Sequence, residues 1–468
     1  MPKLSDEQFR KRLFQQFQDK ALQADDDRYE PLYEEHPDLK NYDHAESIAQ
    51  SIEFSDIESL NLLSGFRGSG KSTELNRLAD RLQQKGYFIL KRDAIDYLNP
   101  GETIDIVTLL NALAGAFSDA LAEDEIGDAM KQGYWQRFTT WLRTTNVSLD
   151  GIGIEAGMPA KTAGVKLQLA LKTAPDFRQQ LREKLQSRLG EVKQQVFEFL
   201  ADCRQLIKKK RGAETSVVFI FDQFEQIPGT PGLSSQQQSL IEDTKRIFSD
   251  YLGHLRFPQI HMVLTVPSWL KLVLPNLELR LVANLPMWKK GRGQTLRPDS
   301  MRLLRSLVAR RFDCVEKNGI GRFFNNIKPD GTHALLDSLI EASGGHFRDL
   351  FRLLRESIIS ARRLPATKEI TDHAIYTVRS SFMPIAVQDA RALHRISEMQ
   401  ATAHETSSDA DIYQLAQFMN THRVLYFING EEWYDIHPLI RGEVKAIVER
   451  ADILDRKSSK EAKKAASA

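Results

Sequence analysis

Residues 60–73 read LNLLSGFRGSGKST, and the fold follows from this stretch. The apolar residues 60–64 have the character of a buried strand. Leu75, Leu78 and Leu82 then predict an amphipathic helix over residues 71–84, Gly86 ends it, and residues 87–90 resume an extended run. A strand, a crossover helix and a second strand imply a parallel sheet. Between the first strand and the helix, Gly65, Gly70, Lys71 and Ser72 match G-x-x-x-x-G-K-[ST]. Glycines at these positions let the backbone turn so that successive N–H groups point inward, and the helix N-terminus adds its positive dipole. Gly65, Phe66, Arg67, Gly68, Ser69, Gly70, Lys71, Ser72 and Thr73 are therefore the expected phosphate cradle. Lys71 is expected on the β- and γ-phosphates and the Ser72 hydroxyl on Mg²⁺. ATP with Mg²⁺ is the expected ligand, although such a loop reads phosphates and not the base.

A second apolar run, VVFIF at residues 217–221, has the length and continuity of a strand buried on both faces, and it ends at Asp222. The C-terminal edge of a parallel strand is where open α/β sheets bind ligands, so Asp222 is expected to hold Mg²⁺ opposite Ser72. Glu225, three residues on, is the nearest carboxylate for orienting an attacking water. Residues 261–266 predict another core strand. Thr265 lies late in it, where a hydroxyl can touch a γ-phosphate or can simply fill a strand. Residues 279–285 predict the last strand.

Beyond this sheet the sequence predicts five further parts. Residues 1–45 form a polar helical extension with Phe9, Leu13 and Phe17 on one face. Residues 145–212 form an insertion in which Val165, Leu167, Leu169 and Leu171 alternate with polar or small residues. Alternation of that kind predicts a half-exposed β-hairpin, followed by one long helix over about residues 177–210. Residues 296–382 read as a helical lid on a core of 46–295. Within the lid, SGGHFRDLFRLLRESI turns at Gly344-Gly345 and enters an amphipathic helix with Arg348 in its first turn. A cation there opposes the helix dipole unless it faces an anion, which points Arg348 at phosphate. Arg280, just before the last core strand, is the candidate trans-acting arginine, with Arg310 and Arg311 as rivals. Residues 383–450 combine helices with a hairpin around Asn429-Gly430 and predict a winged-helix-like module. Residues 451–468 are small, polar and basic, and predict a disordered tail.

The 468 residues suffice for several domains, and a formal charge of +1 supplies no global field toward nucleic acid or an anionic membrane. Two cysteines, Cys203 and Cys314, make neither a disulfide framework nor a zinc spacing. No run approaches the roughly 18 apolar residues a membrane span requires. A cytoplasmic protein is the expectation.

The blocks GFRGSGKST, FIFDQFE, the TVP strand, SGGHFRDLFRLLRE and NGEEWYDIHPL, in this order, resemble bacterial AAA+/STAND-type P-loop ATPases of origin-recognition or NACHT-like layout. The resemblance covers most of residues 45–445. It implies an α/β fold with a P-loop parallel-sheet core, an α-helical lid and a C-terminal winged helix. It also implies a nucleotide-dependent switch that forms homo-oligomers or grips a protein effector, as in defence or signalling systems. Many AAA+ proteins carry the catalytic glutamate directly after the metal aspartate, where this chain has Gln223, which points to slow hydrolysis. A DNA-binding loader resembling replication initiators is the alternative. Against it, the tip Asn429-Gly430-Glu431-Glu432 is acidic where a DNA-reading wing should be basic.

Overall fold

The computed structural model describes residues 4–124, 126, 133–145, 147–155, 157–291, 295–325, 333–400 and 409–466. Its contacts divide the chain into two units. One comprises His44–Gly65 and Glu74–Leu281; the other comprises Met1–Asp43, Phe66–Thr73 and Val282–Ala468. The phosphate loop groups with the second unit, and its contacts run to the helix Phe347–Ser360.

The first unit is built on a five-stranded sheet of β1 (Ser59–Gly65), β2 (Phe88–Asp93), β3 (Val217–Asp222), β4 (Ile260–Val266) and β5 (Arg280–Val282), in the order β2-β3-β4-β1-β5. The β2–β3, β3–β4 and β4–β1 pairings are all parallel. Every residue of β3 and β4 is buried, as unbroken β-branched and aromatic runs require. The helix Ile106–Ala122 packs against β2 and the helix Leu189–Arg211, with the Phe117 ring edge-on to Phe219 at 5.4 Å. The α/β class inferred from the phosphate-loop stretch is the fold observed.

The insertion corrects the sequence reading. The alternating residues Val165, Leu167, Leu169 and Leu171 lie on a helix, Ala160–Thr173, and not in a β-hairpin. Ala163, Leu167, Ala170 and Leu171 are buried, a stripe at helical spacing, while Val165 and Leu169 remain about 60% exposed. Gly164 lets this helix approach the Trp135 side chain on the helix Tyr134–Leu142, against which it packs. The single long helix expected next is two, Pro175–Leu185 and Leu189–Arg211, separated by a 3₁₀ turn at Gln186–Arg188.

In the second unit the N-terminal extension is a helix, Asp6–Gln16. Ser5 and Gln8 form a reciprocal capping box at its start, and Phe9, Leu13 and Phe17 are buried. Residues 298–380 are helical in the described parts, as expected. The hairpin pairs β6 (Val424–Ile428) with β7 (Glu432–Ile436) antiparallel around Asn429-Gly430. Nearly every residue of both strands is buried, Phe427 stacks on Trp433 at 4.7 Å, and Asn284 N donates to Tyr426 O at 3.0 Å. The expected disordered tail is instead the continuation of a helix, Pro438–Ala466. Its alanines, lysines and glutamates are strong helix formers, and Arg391 pairs with Asp452 and Asp455 on it. Among the described residues no helix is long and apolar enough to cross a membrane.

Candidate nucleotide site

β1 ends at Gly65 and the chain passes directly into the phosphate loop. Gly68 and Gly70 take φ of +82° and +97°, backbone that side chains with a Cβ rarely adopt. A Cβ on Gly68 would also sit 2.3 Å from Arg348 Cβ and 2.8 Å from Arg348 Nε. The loop is therefore a cradle that only glycine permits at this point. The helix Lys71–Gln84 starts at its end. Lys71 is buried and its Nζ donates to Phe66 O at 2.9 Å; the Ser69 N–H donates to the same carbonyl at 3.2 Å. Thr73 Oγ1 accepts from Leu22 N, which ties the loop's end to the N-terminal extension. Arg348 packs over Gly68 of this loop, and its Nε forms an ion pair with Asp19 at 2.6 Å.

In the sheet unit, parallel register aligns the strand ends. Asp93 stands beside Asp222, and Leu63 beside Thr265. Asp222 is buried, its Oδ1 accepts from Gln223 N at 2.7 Å, and Lys91 Nζ lies 3.7 Å from Oδ2. Gln223 takes a left-handed φ of +63° and turns its amide onto Asp93 Oδ2 at 2.5 Å. Burial raises the Asp93 carboxyl above its usual range, and the negative charges of Asp222, Asp96 and Glu225 add to that rise. Glu225 sits in the 3₁₀ turn Phe224–Gln226 that follows. Thr265 Oγ1 accepts from Phe224 N at 3.1 Å, so this hydroxyl braces the turn after Asp222.

Asp93, Lys91 and Gln223 were not singled out from sequence as site residues. The signal for Asp93 was present, since it ends the run FILKRD as Asp222 ends VVFIFD. The candidate trans-acting arginine is engaged within its own unit: Arg280 Nε donates to Ser47 Oγ at 3.0 Å and its Nη1 to Asn61 Oδ1 at 3.2 Å. Arg310 pairs with Glu30, and Arg311 is buried under Phe351 with its Nη1 on Arg28 O.

A cluster that sequence did not anticipate stands at the start of the helix Phe347–Ser360. His346 Nδ1 is 2.7 Å from Asp349 Oδ2, and His346 Nε2 is 2.9 Å from Arg67 O in the phosphate loop. His437 Nε2 lies 3.3 Å and His422 Nδ1 4.0 Å from the same Asp349 oxygen. A separation of 2.7 Å is that of a hydrogen bond. Two ligands of one tetrahedral cation, each about 2.0 Å from it, stand about 3.3 Å apart. The His346–Asp349 pair therefore stands at hydrogen-bond distance, closer than two ligands of one such cation would. The Ser72 hydroxyl and the Asp222 carboxylate are each oxygen donors of the kind a hard cation takes.

No family model matches this chain, and no curated protein matches it. Among solved structures it is similar to a Walker-type ATPase of Pyrococcus abyssi, at 12% identity and a TM-score of 0.41, over 93% of this chain and 99% of that one. It is also similar to the Aeropyrum pernix ORC2 protein in ADPNP–ADP complexes, at 11% identity and a TM-score of 0.34, over 89% and 94% of the two chains. The third is Cdc6p from Pyrobaculum aerophilum, at 10% identity and a TM-score of 0.34, over 89% and 95%.

Proposed function

We propose that this chain binds ATP with Mg²⁺, hydrolyses it slowly, and uses the nucleotide state to control its own assembly or a protein effector. The observation that carries this reading is the loop itself: two left-handed glycines, a buried lysine and a helix N-terminus, in the order phosphate recognition requires. Lys71 would neutralise the β- and γ-phosphates, backbone N–H groups of residues 66–73 would hold the β-phosphate, and Ser72 and Asp222 would hold the metal. The bound metal would supply charge neutralisation at the transferring phosphoryl group. Arg348, lying over Gly68, is the lid's contribution to the phosphate-loop environment.

Slow turnover is supported by Gln223. The residue after Asp222 is an amide turned onto Asp93, so Glu225 is left as the nearby group for orienting water. A DNA-loading role is less well supported. The hairpin's strands are buried, and its tip residue Glu431 pairs with Lys290 at 3.2 Å, so the hairpin presents neither a free basic wing nor a bare strand edge.

The test is titration of Mg²⁺·ATP against the purified chain and its Lys71→Ala variant, with mass measurement and identification of whatever co-purifies. Binding in the first and none in the second supports the reading. Equal behaviour of the two, with no nucleotide bound by either, refutes it. Salt-sensitive association with duplex DNA would move the alternative ahead.

A further inference from the structure

The N-terminal extension reaches the phosphate loop and its arginine at two points. The helix Asp6–Gln16 runs into Phe17, whose buried ring lies 5.8 Å from Phe312 and 5.7 Å from Phe351. Arg355 Nη1, on the helix Phe347–Ser360, donates to Phe17 O at 3.2 Å. Further along, Leu22 is buried and its N–H donates to Thr73 Oγ1 at 3.1 Å, at the end of the phosphate loop. Residues 18–21 between these anchors are exposed. The segment is a short strap pinned at both ends.

Asp19 stands on this strap, and its Oδ2 faces Arg348 Nε at 2.6 Å. Arg348 in turn packs over Gly68. Among the described residues neither side chain has another ion pair, and Nη1 and Nη2 of Arg348 make no hydrogen bond to protein. A guanidinium presents its donors in one fixed plane, so a contact through Nε leaves the N–H groups of Nη1 and Nη2 for a ligand's oxygens.

An exposed carboxylate–guanidinium pair ordinarily gains little, because two flexible side chains must be held in one geometry. Here the backbone of the short aspartate is already held, by Phe17 on one side and Leu22 on the other. The restraint therefore falls on Arg348, whose rotamer freedom is otherwise large. A carboxylate near a triphosphate also repels it. With the two side chains 32% and 38% exposed, solvent and salt screen that repulsion, while screening does not loosen an ordered side chain.

We propose that Asp19 is a positioning residue that holds Arg348 over the phosphate loop and leaves Nη1 and Nη2 for the nucleotide's phosphate oxygens. The N-terminal strap is then part of the nucleotide site. This rests on the nucleotide reading above. Ordering Arg348 before the ligand arrives removes an ordering loss from binding itself.

The test is calorimetric titration of the full chain with Mg²⁺·ATP, with thermal unfolding of each variant alongside. Asp19→Asn removes the charge at nearly constant size and should weaken binding about five-fold at an unchanged melting temperature. Asp19→Glu keeps the carboxylate and should stay within about two-fold of the unmodified chain. In an Arg348→Gln background Asp19→Asn should add no further loss, whereas a strap with a purely structural role would lower affinity whichever residue stands at 348. Unchanged binding by Asp19→Asn overturns the proposal, and so does tighter binding, which would mean that the carboxylate opposes the phosphates. A loss matched by a fall in melting temperature, or one just as large without Arg348, also overturns it. If the unmodified chain binds no nucleotide, the nucleotide reading falls and this role with it. If it binds and Lys71→Ala does not, the nucleotide reading stands and the Asp19 series alone decides the role.

Discussion

Replacing Gly68 by alanine tests the phosphate loop more sharply than removing Lys71, because the expected cost follows from geometry. At φ +82° a Cβ costs about 1–2 kcal/mol in backbone strain. The new methyl would also lie 2.3 Å from Arg348 Cβ, an overlap whose relief by small shifts costs about 1–3 kcal/mol. Arg348 pairs with Asp19 through partly exposed side chains, so disturbing that pair adds under about 1 kcal/mol. A total near 3 kcal/mol corresponds to about a hundred-fold in an equilibrium constant. Calorimetric titration with Mg²⁺·ATP and thermal unfolding should together account for it. If the loop relaxes locally, affinity falls by about that factor; if it does not, the melting temperature falls. Arg348→Ala in the same background should restore little, since the nearest atom is Arg348 Cβ, which alanine retains. Gly68→Ala protein with unchanged affinity and unchanged melting temperature would refute the loop geometry and the role assigned to it.

Other outcomes follow from the same structure. Leu167→Ala should destabilise by about 2–5 kcal/mol in chemical denaturation, and Leu169→Ala by no more than about 0.5 kcal/mol. Equal effects would restore a strand in which both share one face. Asp93→Asn should raise the melting temperature at pH 7, with the gain shrinking toward pH 4. The folded carboxyl titrates above its unfolded value, so its ionisation costs stability as pH rises through that interval; no gain at pH 7 would contradict the burial of this group. Asp222→Asn should weaken the Mg²⁺-dependent part of ATP affinity while leaving any metal-free binding in place. An unchanged magnesium dependence would remove Asp222 from the metal site.

Local pattern carried the core of the fold. In a chain that carries a phosphate loop, an unbroken apolar run ending in an aspartate reads as a core strand, and β3 with Asp222 follows it. The hairpin at Asn429-Gly430 was equally legible, because that dipeptide favours the backbone such a turn needs. Residues 163–171 were not. Apolar residues at 163, 167, 170 and 171 make a helical stripe, but exposed Val165 and Leu169 overlay it with an alternating one, and only packing against the helix Tyr134–Leu142 selects between them. The basic tail misled in a similar way, since polar composition does not separate a solvated helix from a disordered segment.

The sequence by itself determined the phosphate loop, the strand that precedes it and the carboxylate at the end of the β3 run. Those features are encoded in residues a few positions apart, where spacing alone sets which groups share a face or a turn. Tertiary structure decided which side chains press on the loop. Arg348 meets Gly68, and His346, His422 and His437 gather on Asp349, across separations along the chain that no periodicity spans. One partner of His346, the Arg67 carbonyl, lies 279 residues away, beyond the reach of any local pattern.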